Sequence, residues 1–323
     1  MAITESGPRQ YELVEGWGQL PDGWVWGQVC AVATDSHDNV HVLSRSDHPY
    51  AVFDKSGKLL DSWGRGLFER LHGICVTPDD TMYFVDDRGH IVTKWSKEGR
   101  HRLTLGTRGQ PSDTGWTKEI RDETRMLPSG THATPTKSGV GHRGPPFHRP
   151  TDIAVAANGD MFVSDGYRNA AVHRFSKDGS LLKSWGEPGN ADELSNTTKG
   201  PGKFMTPHGI WEHKGKVYVC DRENFRVQIF DIDGNHIVTW PGFERPTKIY
   251  ISPRDDVLYM SELEDRFSVM DLEGNVLYRR ASERSNDPGK FHGPHGIWAD
   301  SEDSVYVGEV LGGARLQKFA RKK

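Results

Sequence analysis

A unit of about forty residues repeats six times along this chain of 323 residues, and the repeat limits the fold more than any other feature. Each unit contains a small apolar strand, a second β-rich strand, a third strand with an aromatic residue near its end, and a fourth strand after a turn. Four strands in a unit of this length are typical of a β-propeller blade. The sequence therefore predicts an all-β, six-bladed β-propeller. Glycine suits the positive φ of the hairpin turns, and five units carry it, at Gly57, Gly99, Gly179, Gly234 and Gly274.

The sixth unit is incomplete, because the repeat stops at Phe319 before a fourth strand begins. The N-terminal segment Tyr11–Trp17 has the pattern of the missing strand. We therefore expect the ring to close through an N-terminal strand that completes the last blade and removes an open sheet edge. Residues 1–323 then form a single propeller domain, since each blade adds its own layer of core.

One long connector, at residues 107–146, interrupts the repeat and is rich in Gly, Pro, Ser and Thr. Two shorter connectors run over residues 187–203 and 282–290. Loops as long as the first usually have a function, such as a lid over a site. A disordered insertion is the alternative.

Three histidines stand at one repeat position in alternate blades and open the first strands of blades two, four and six. They are His72, His208 and His295. Alternate units of a six-fold ring lie about 120° apart, so the three imidazoles should converge on the central axis. Three histidines with an open fourth position are typical of catalytic zinc. The alternative is three unrelated core or turn histidines. The other three units carry Cys30, Thr151 and Thr247 at this position.

The ends of the second strands should lie on the same face as the histidines, because neighbouring strands run antiparallel. Arg45, Tyr167 and Arg222 occupy these ends in blades one, three and four. An arginine fork binds a carboxylate through two hydrogen bonds, and a metal and arginines favour the ionised form of a nearby phenol. The three residues together predict a site that binds an acid and removes a proton. A surface ion pair is the alternative for either arginine.

Acidic residues also recur near the second-strand ends. We expect them to accept hydrogen bonds from backbone amides of the next blade, with orientation of a metal-binding histidine as the alternative. They are Asp86, Asp165, Asp221, Glu262 and Glu309.

The three cysteines, which lie within strand patterns, are predicted to be buried free thiols. They are Cys30, Cys75 and Cys220.

The charge and hydropathy of the chain exclude some partners. A formal net charge of −4 gives no basic field for nucleic acid or an anionic membrane. No apolar run approaches the length of a membrane-spanning helix. Residues 1–9 are polar and contain no hydrophobic signal segment. We expect a cytoplasmic protein with no nucleic-acid or membrane partner, and the sequence leaves its oligomeric state open.

Several motifs resemble the peptidyl-α-hydroxyglycine α-amidating lyase family of NHL-repeat, six-bladed propellers. The resemblance runs from Gln28 to Phe319, apart from the long connector. It implies zinc on His72, His208 and His295, catalysis by Tyr167, and active-site roles for Arg45 and Arg222. The motifs that carry it are Gly27-Gln28-Val29, Pro150-Thr151-Asp152, Ser164-Asp165-Gly166-Tyr167, Trp185-Gly186-Glu187, Pro207-His208, Asp221-Arg222-Glu223-Asn224 and Pro294-His295.

The chain departs from the family at the calcium site and at one wall of the pocket. The resemblance implies calcium bound by the carbonyls of Val32 and Ile74 and by an aspartate, but Gly296 stands where the aspartate is expected. Two carbonyls are a poor calcium site, so we expect weak binding or none. Gly293 replaces a methionine of the pocket, and Arg168 replaces a half-cystine.

These observations predict a zinc-dependent lyase that cleaves the carbon–nitrogen bond of a small N-acyl or N-substituted α-hydroxy acid. The products would be an amide or amine and an α-oxo acid. The sequence contains no copper monooxygenase region, so we expect the metal chemistry to be kept with a different substrate. One alternative is a zinc-dependent hydrolase, or another lyase, that acts on an ester, lactone or amide at the same site. Another is a non-catalytic propeller that serves as a binding scaffold.

Overall fold

The computed structural model describes residues 3–118, 124–126, 133–135, 138–189 and 200–322. Six main sheets correspond to the six repeat units, and in the first five the four strands of a unit are hydrogen-bonded in chain order. Neighbouring strands are antiparallel, as Asp152–Val155 and Met161–Asp165 show in blade three. The predicted all-β, six-bladed propeller fold is confirmed.

The strand boundaries follow the repeat closely. The first strands are buried along most of their length, whereas the fourth strands are more exposed, as expected from the small apolar residues that open each unit. The strands are Gln28–Thr34, Val40–Arg45, Tyr50–Phe53 and Leu59–Trp63 in blade one; Leu71–Val76, Met82–Asp86, Ile91–Trp95 and His101–Leu105 in blade two; Asp152–Val155, Met161–Asp165, Ala171–Phe175 and Leu181–Trp185 in blade three; Pro207–His213, Lys216–Asp221, Arg226–Asp231 and His236–Pro241 in blade four; Pro246–Ile251, Leu258–Glu262, Arg266–Met270 and Val276–Ala281 in blade five; and Pro294–Ala299, Val305–Glu309 and Arg315–Arg321 in blade six.

An N-terminal strand completes blade six, as predicted. Tyr11–Val14 pairs antiparallel with Arg315–Arg321. A second N-terminal strand, which we did not predict, pairs Thr4–Ser6 with the last strand of blade five. All three of its residues are exposed, so no apolar pattern marks it. Polar contacts hold it instead, since the Tyr278 hydroxyl donates to Glu5 at 2.7 Å and Arg280 pairs with the same carboxylate.

Two short pairs of strands lie outside the blades. Thr124–Met126 pairs with Ala133–Pro135 inside the long connector, and Glu187–Pro188 pairs with Lys203–Phe204 at the entrance to blade four. Residues 119–123, 127–132 and 136–137 of the long connector lie outside the described part of the chain, as do residues 190–199 of the second connector.

The hairpin glycines adopt the backbone conformation that the turns require. Gly57 has φ +88°, and a Cβ built there would lie 2.5 Å from the backbone nitrogen of Gly18. Gly234 has φ +77°, and its Cβ would meet the Trp185 ring at 2.7 Å. These positions therefore need glycine both for the left-handed conformation and for the close approach of the chain.

The chain divides into two compact units. Unit one contains residues 1–84, 94–102 and 247–323, and unit two contains residues 85–93 and 103–246. The assignment of residues 1–323 to a single domain stays a prediction.

Among the described residues no helix is long and apolar enough to cross a membrane. The core of unit two is a cluster of apolar residues from blades three and four: Ala154, Phe162, Val172, Trp185, Phe204, Ile210, Val219 and Phe230.

Two of the repeated acids accept backbone amides of their own blade, not of the next blade as we expected. Asp165 accepts the backbone N–H of His148 at 2.9 Å, and Asp221 accepts that of Met205 at 2.9 Å. These amides precede the first strand of the same blade, not of the next one. The buried acid therefore fixes the segment through which the chain enters its own blade. The three cysteines are buried free thiols, as predicted.

Candidate active site

Three buried histidines form the candidate metal centre. Each is the second residue of a first strand, and their exposed fractions are 2% for His72, 2% for His208 and 4% for His295. Among the described residues they are the only group of His, Cys, Asp or Glu that could hold a metal ion. They are the three imidazoles that the repeat predicted to converge.

The donors of this cluster suit zinc. Nδ1 of His295 lies 2.7 Å from the carbonyl oxygen of Cys30, so Nδ1–H donates there and Nε2 keeps its lone pair for a ligand. The rings of His72 and His295 meet edge to face, with centroids 4.8 Å apart. Three neutral imidazole nitrogens are a ligand set that zinc accepts in proteins. Three neutral imidazoles would leave a fourth position for a water or substrate oxygen.

Tyr167 lies against one of these histidines. It follows the second strand of blade three by two residues, and its hydroxyl oxygen is 3.3 Å from Nε2 of His208. The phenol ring is nearly perpendicular to the imidazole, at 82°. A phenol in this position can exchange a proton with a group bound beside His208.

Arg222 contacts the same tyrosine. It opens the 3₁₀ turn Arg222–Asn224 directly after the second strand of blade four. Its guanidinium carbon lies over the Tyr167 ring, 5.4 Å from the centroid. Its Nε donates to Glu223 at 2.9 Å, and Arg245 binds both oxygens of the same carboxylate. Arg222 is thus held in place by Glu223, with part of its charge compensated.

Arg45 has donors available for an anion. It ends the second strand of blade one, where it pairs with Gln28, and its Nη1 donates to the Gln28 side chain at 2.7 Å. Its Nε and Nη2 are buried and have no hydrogen-bond partner among the described residues. These two nitrogens form one edge of the guanidinium, which matches the two oxygens of a carboxylate. Buried donors of this kind usually have a ligand.

The sequence reasoning missed Arg149, which also contacts Tyr167. Its guanidinium carbon lies over the ring, 5.3 Å from the centroid, and its Nη2 pairs with Asp87 at 2.8 Å. A signal was available, because Arg149 stands two positions before the residue that aligns with the histidines. Blades two and five carry Arg70 and Arg245 at this place.

The described ends of the long connector pack beside Tyr167. Thr114 Oγ1 donates to the carbonyl of Arg168, the residue after Tyr167, at 2.7 Å. The Arg168 guanidinium lies over the Trp116 ring, 4.0 Å from its centroid. Nδ1 of the loop residue His148 lies 3.1 Å from Thr114 Oγ1. Burial lowers the pKa of His148 to about 4. The connector is therefore attached to the site, and its role as a lid stays a prediction.

The predicted calcium position lacks room for the missing acid. Val32 and Ile74 are buried in the first strands of blades one and two. A Cβ added to Gly296 would lie 2.7 Å from Cα of Ala31, closer than real Cβ atoms approach backbone. An aspartate at 296 is therefore incompatible with this backbone, and only the two carbonyls are left from the predicted ligand set.

Comparisons with known proteins were made at the level of sequence and of structure. No family model matches the chain. Peptidyl-glycine alpha-amidating monooxygenase A of Xenopus laevis is 28% identical over 322 residues, covering 92% of this chain and 32% of that protein. Peptidyl-alpha-hydroxyglycine alpha-amidating lyase 1 of Drosophila melanogaster is 31% identical over 212 residues, covering 64% of this chain and 34% of that protein. The resemblance to the amidating lyases is confirmed. The chain spans about a third of the length of these curated relatives.

Two further comparisons agree with a propeller fold. NHL repeat-containing protein 3 of Homo sapiens is 26% identical over 277 residues, covering 80% of this chain and 69% of that protein. The solved structure of a streptogramin B lyase superposes with a TM-score of 0.60, covering 99% of this chain and 98% of that one at 13% identity. At that identity the structural likeness shows the fold alone.

Proposed function

We propose that this protein is a metal-dependent lyase that acts on a small N-acyl or N-substituted α-hydroxy acid. It cleaves the bond between the α-carbon and nitrogen and releases an amide or amine and an α-oxo acid. The observation that carries the proposal is the contact of 3.3 Å between the Tyr167 hydroxyl and Nε2 of His208, one of the three candidate metal ligands. The amidating-lyase name of the Drosophila melanogaster relative supports the same reaction class.

The arginines bind the substrate carboxylate in this proposal. Arg45 offers Nε and Nη2, which are buried without a protein partner among the described residues. Arg222, held by Glu223, offers its remaining donors and lies over the phenol ring. Binding the carboxylate by two planar forks orients the α-carbon and its hydroxyl.

Tyr167 is the general base. It takes the proton of the substrate α-hydroxyl, whose oxygen electrons form the new C=O bond as the C–N bond breaks. The nitrogen leaves with the bonding electron pair and takes up a proton, so atoms and charge balance. A zinc ion held by His72, His208 and His295 would supply a Lewis acid that lowers the pKa of a bound hydroxyl.

Product analysis tests this function. Purified protein is incubated with racemic N-benzoyl-α-hydroxyglycine, and benzamide and glyoxylate are measured by chromatography against an enzyme-free blank. We expect equimolar products that stop at half of the racemate, because a site built from L-residues selects one hand of the α-carbon. A chelator should abolish turnover, and added zinc should restore it.

The alternatives give different outcomes in the same assay. Turnover of a panel of esters, lactones and amides without glyoxylate would support a hydrolase that uses the three-histidine cluster. A protein that retains no metal and converts none of these compounds would be a binding scaffold. Either result would overturn the lyase proposal.

A further inference from the structure

We propose that Arg149 is a positioning residue for Tyr167 and that its ion pair with Asp87 fixes the phenol for proton transfer. The inference rests on the proposed function, in which Tyr167 is the base. It adds a residue that no sequence motif of the site contains.

Arg149 meets Tyr167 through both its side chain and its backbone. The guanidinium carbon lies over the phenol ring at 5.3 Å from the centroid. The backbone carbonyl of Arg149 accepts the N–H of Tyr167 at 3.4 Å. A cation over the face of an aromatic ring is attracted by the ring quadrupole, and the attraction grows when the group is withdrawn from water. Arg149 can therefore restrain the direction in which the hydroxyl points.

Asp87 holds the Arg149 side chain in place. It lies at the second-strand end of blade two, is fully buried, and binds Nη2 of Arg149 at 2.8 Å. Nε of Arg149 is also buried and has no hydrogen-bond partner among the described residues. A buried carboxylate needs a counter-charge, so the pair cannot rearrange freely.

The backbone of Arg149 is held in an unfavourable conformation. Its φ is +67°, in the left-handed region that non-glycine residues rarely adopt. Its N–H donates to Nδ1 of His90 at 3.2 Å. Such conformations persist where the surroundings enforce them, often at functional sites.

The arrangement around Arg222 is parallel. Arg222 lies over the same ring at 5.4 Å, and Glu223 holds it as Asp87 holds Arg149. The phenol thus contacts two guanidinium groups, each paired with a buried acid. Arg222 is expected to bind the substrate as well, whereas we assign Arg149 to the tyrosine alone.

A kinetic double-mutant cycle tests this assignment. Arg149→Gln, Tyr167→Phe and the double variant are compared for turnover of N-benzoyl-α-hydroxyglycine. Misplacement of a catalytic group by about 1 Å costs about 100-fold in rate, so Arg149→Gln should lower kcat about 10- to 100-fold. It should change KM less than about 3-fold, because no substrate contact is removed. In the Tyr167→Phe background the same change should lower kcat less than about 2-fold, because the hydroxyl is already absent.

Two variants control for charge and for structural damage. Arg149→Lys keeps the cation and should recover more activity than Arg149→Gln. The ion pair of Arg174 with Asp160, at 2.6 Å, is a matched control for the ion pair of Arg149 with Asp87 in the same unit. Like Arg149, Arg174 lies over an aromatic ring, with its guanidinium carbon 5.8 Å from the centroid of Phe162. Arg174→Gln should leave kcat within about 2-fold of the wild type, although it also breaks a partly buried ion pair.

Other outcomes would overturn the inference. An unchanged kcat in Arg149→Gln would show that the phenol does not need this contact. An effect of equal size in both backgrounds would assign Arg149 a role independent of the Tyr167 hydroxyl. Glyoxylate binding weakened about 10-fold or more in Arg149→Gln would make it a carboxylate ligand instead.

Failure of the proposed function can be told apart from failure of this inference. If the wild type makes no glyoxylate, the lyase proposal fails, and the Arg149–Tyr167 contact is tested by urea unfolding without substrate. The urea midpoints of Arg149→Gln, Tyr167→Ala and the double variant should then be non-additive, with a smaller combined shift than the sum. Additive shifts would overturn the positioning role.

Discussion

Nδ1 of His295 lies 2.7 Å from the carbonyl oxygen of Cys30. Cys30 occupies the same repeat position in blade one that His295 occupies in blade six. A blade without a histidine thus supplies a backbone acceptor that orients the histidine of another blade. Because Nδ1–H is engaged there, Nε2 is the nitrogen that would bind a metal. The non-histidine position therefore contributes to the candidate metal centre.

We predict about one zinc per chain in the purified protein and a loss of most of it in His208→Ala. Removing one of three protein ligands weakens binding, while the strand start tolerates a smaller side chain without a break in the sheet. Metal content is measured by plasma mass spectrometry after dialysis, and folding by thermal unfolding. His142→Ala, at an exposed histidine of the long connector, is the control and should keep the full metal content. Full zinc occupancy in His208→Ala would rule out this ligand set.

Tyr167→Phe should lower kcat by about 10² to 10⁴, the usual contribution of a general base. The ring and its contacts with the two guanidinium groups remain, so zinc content and thermal stability should be unchanged. The control is Tyr278→Phe in blade five, which removes a hydroxyl that donates to Glu5. If Tyr167→Phe turns over near the wild-type rate, the base is another group and the hydrolase reading becomes the better one.

Arg45→Ala and Arg222→Ala should raise KM about 10- to 100-fold, the value of a hydrogen-bonded charge pair. Both residues are proposed to hold the carboxylate in the ground state and the transition state, so part of the loss must appear in KM. Lysine should rescue poorly, because an ammonium cannot reproduce the planar fork. Arg65→Ala removes an exposed arginine of blade one and serves as the control for net charge. A pure kcat effect for both arginines would contradict carboxylate binding.

The repeat pattern predicted the fold because the same order of strands can be recognised in the sequence of each unit. The incomplete sixth unit and the strand pattern of Tyr11–Trp17 sufficed to predict that an N-terminal strand completes blade six, and the strand observed is Tyr11–Val14. The strand Thr4–Ser6 could not be predicted, because its residues are exposed. Backbone pairing with the last strand of blade five and the side-chain contacts of Glu5 hold this strand in place. Apolar periodicity reports burial, so a strand without burial gives no signal.

The candidate site was predictable where one repeat position carries one residue type. His72, His208 and His295 share such a position, and their alternation along the repeat predicts that they converge. Arg149 has the same kind of signal, yet its role depends on a left-handed backbone and on a partner in another blade. Contacts of that kind depend on side-chain directions, which spacing along the chain does not specify.

Calcium should bind weakly, with a dissociation constant above about 10⁻⁴ M, because two carbonyls are a poor ligand set for a hard cation. Isothermal titration or a calcium-dependent rise in melting temperature measures this. Gly296→Asp should lower the melting temperature without creating tight binding, since its Cβ would lie 2.7 Å from Cα of Ala31. Gly200→Asp adds the same charge where a Cβ has room and should be tolerated. Calcium bound at low micromolar concentration by the carbonyls of Val32 and Ile74 would contradict the prediction.

The stability of the protein should fall as the pH decreases from about 6.5 to about 4, with a contribution from His148. Burial lowers the pKa of His148 to about 4 in the folded protein, and it is about 6.5 in an unfolded chain. Above pH about 6.5 the imidazole is neutral in both states, so its contribution to the free energy of unfolding is fully present. Between the two values the unfolded chain binds a proton that the folded chain does not, and the free energy of unfolding decreases.

His148→Gln should therefore reduce the difference in unfolding free energy between pH 7.5 and pH 5, as measured by urea denaturation. It should not abolish the difference, because burial also lowers the pKa of His90 and His236. The three candidate metal ligands are present in both proteins, so the difference between wild type and variant isolates His148. His142→Gln, at an exposed position of the long connector, should leave the pH dependence unchanged. An equal loss of stability on acidification in His148→Gln and in the wild type would show that this imidazole is not held neutral by the fold.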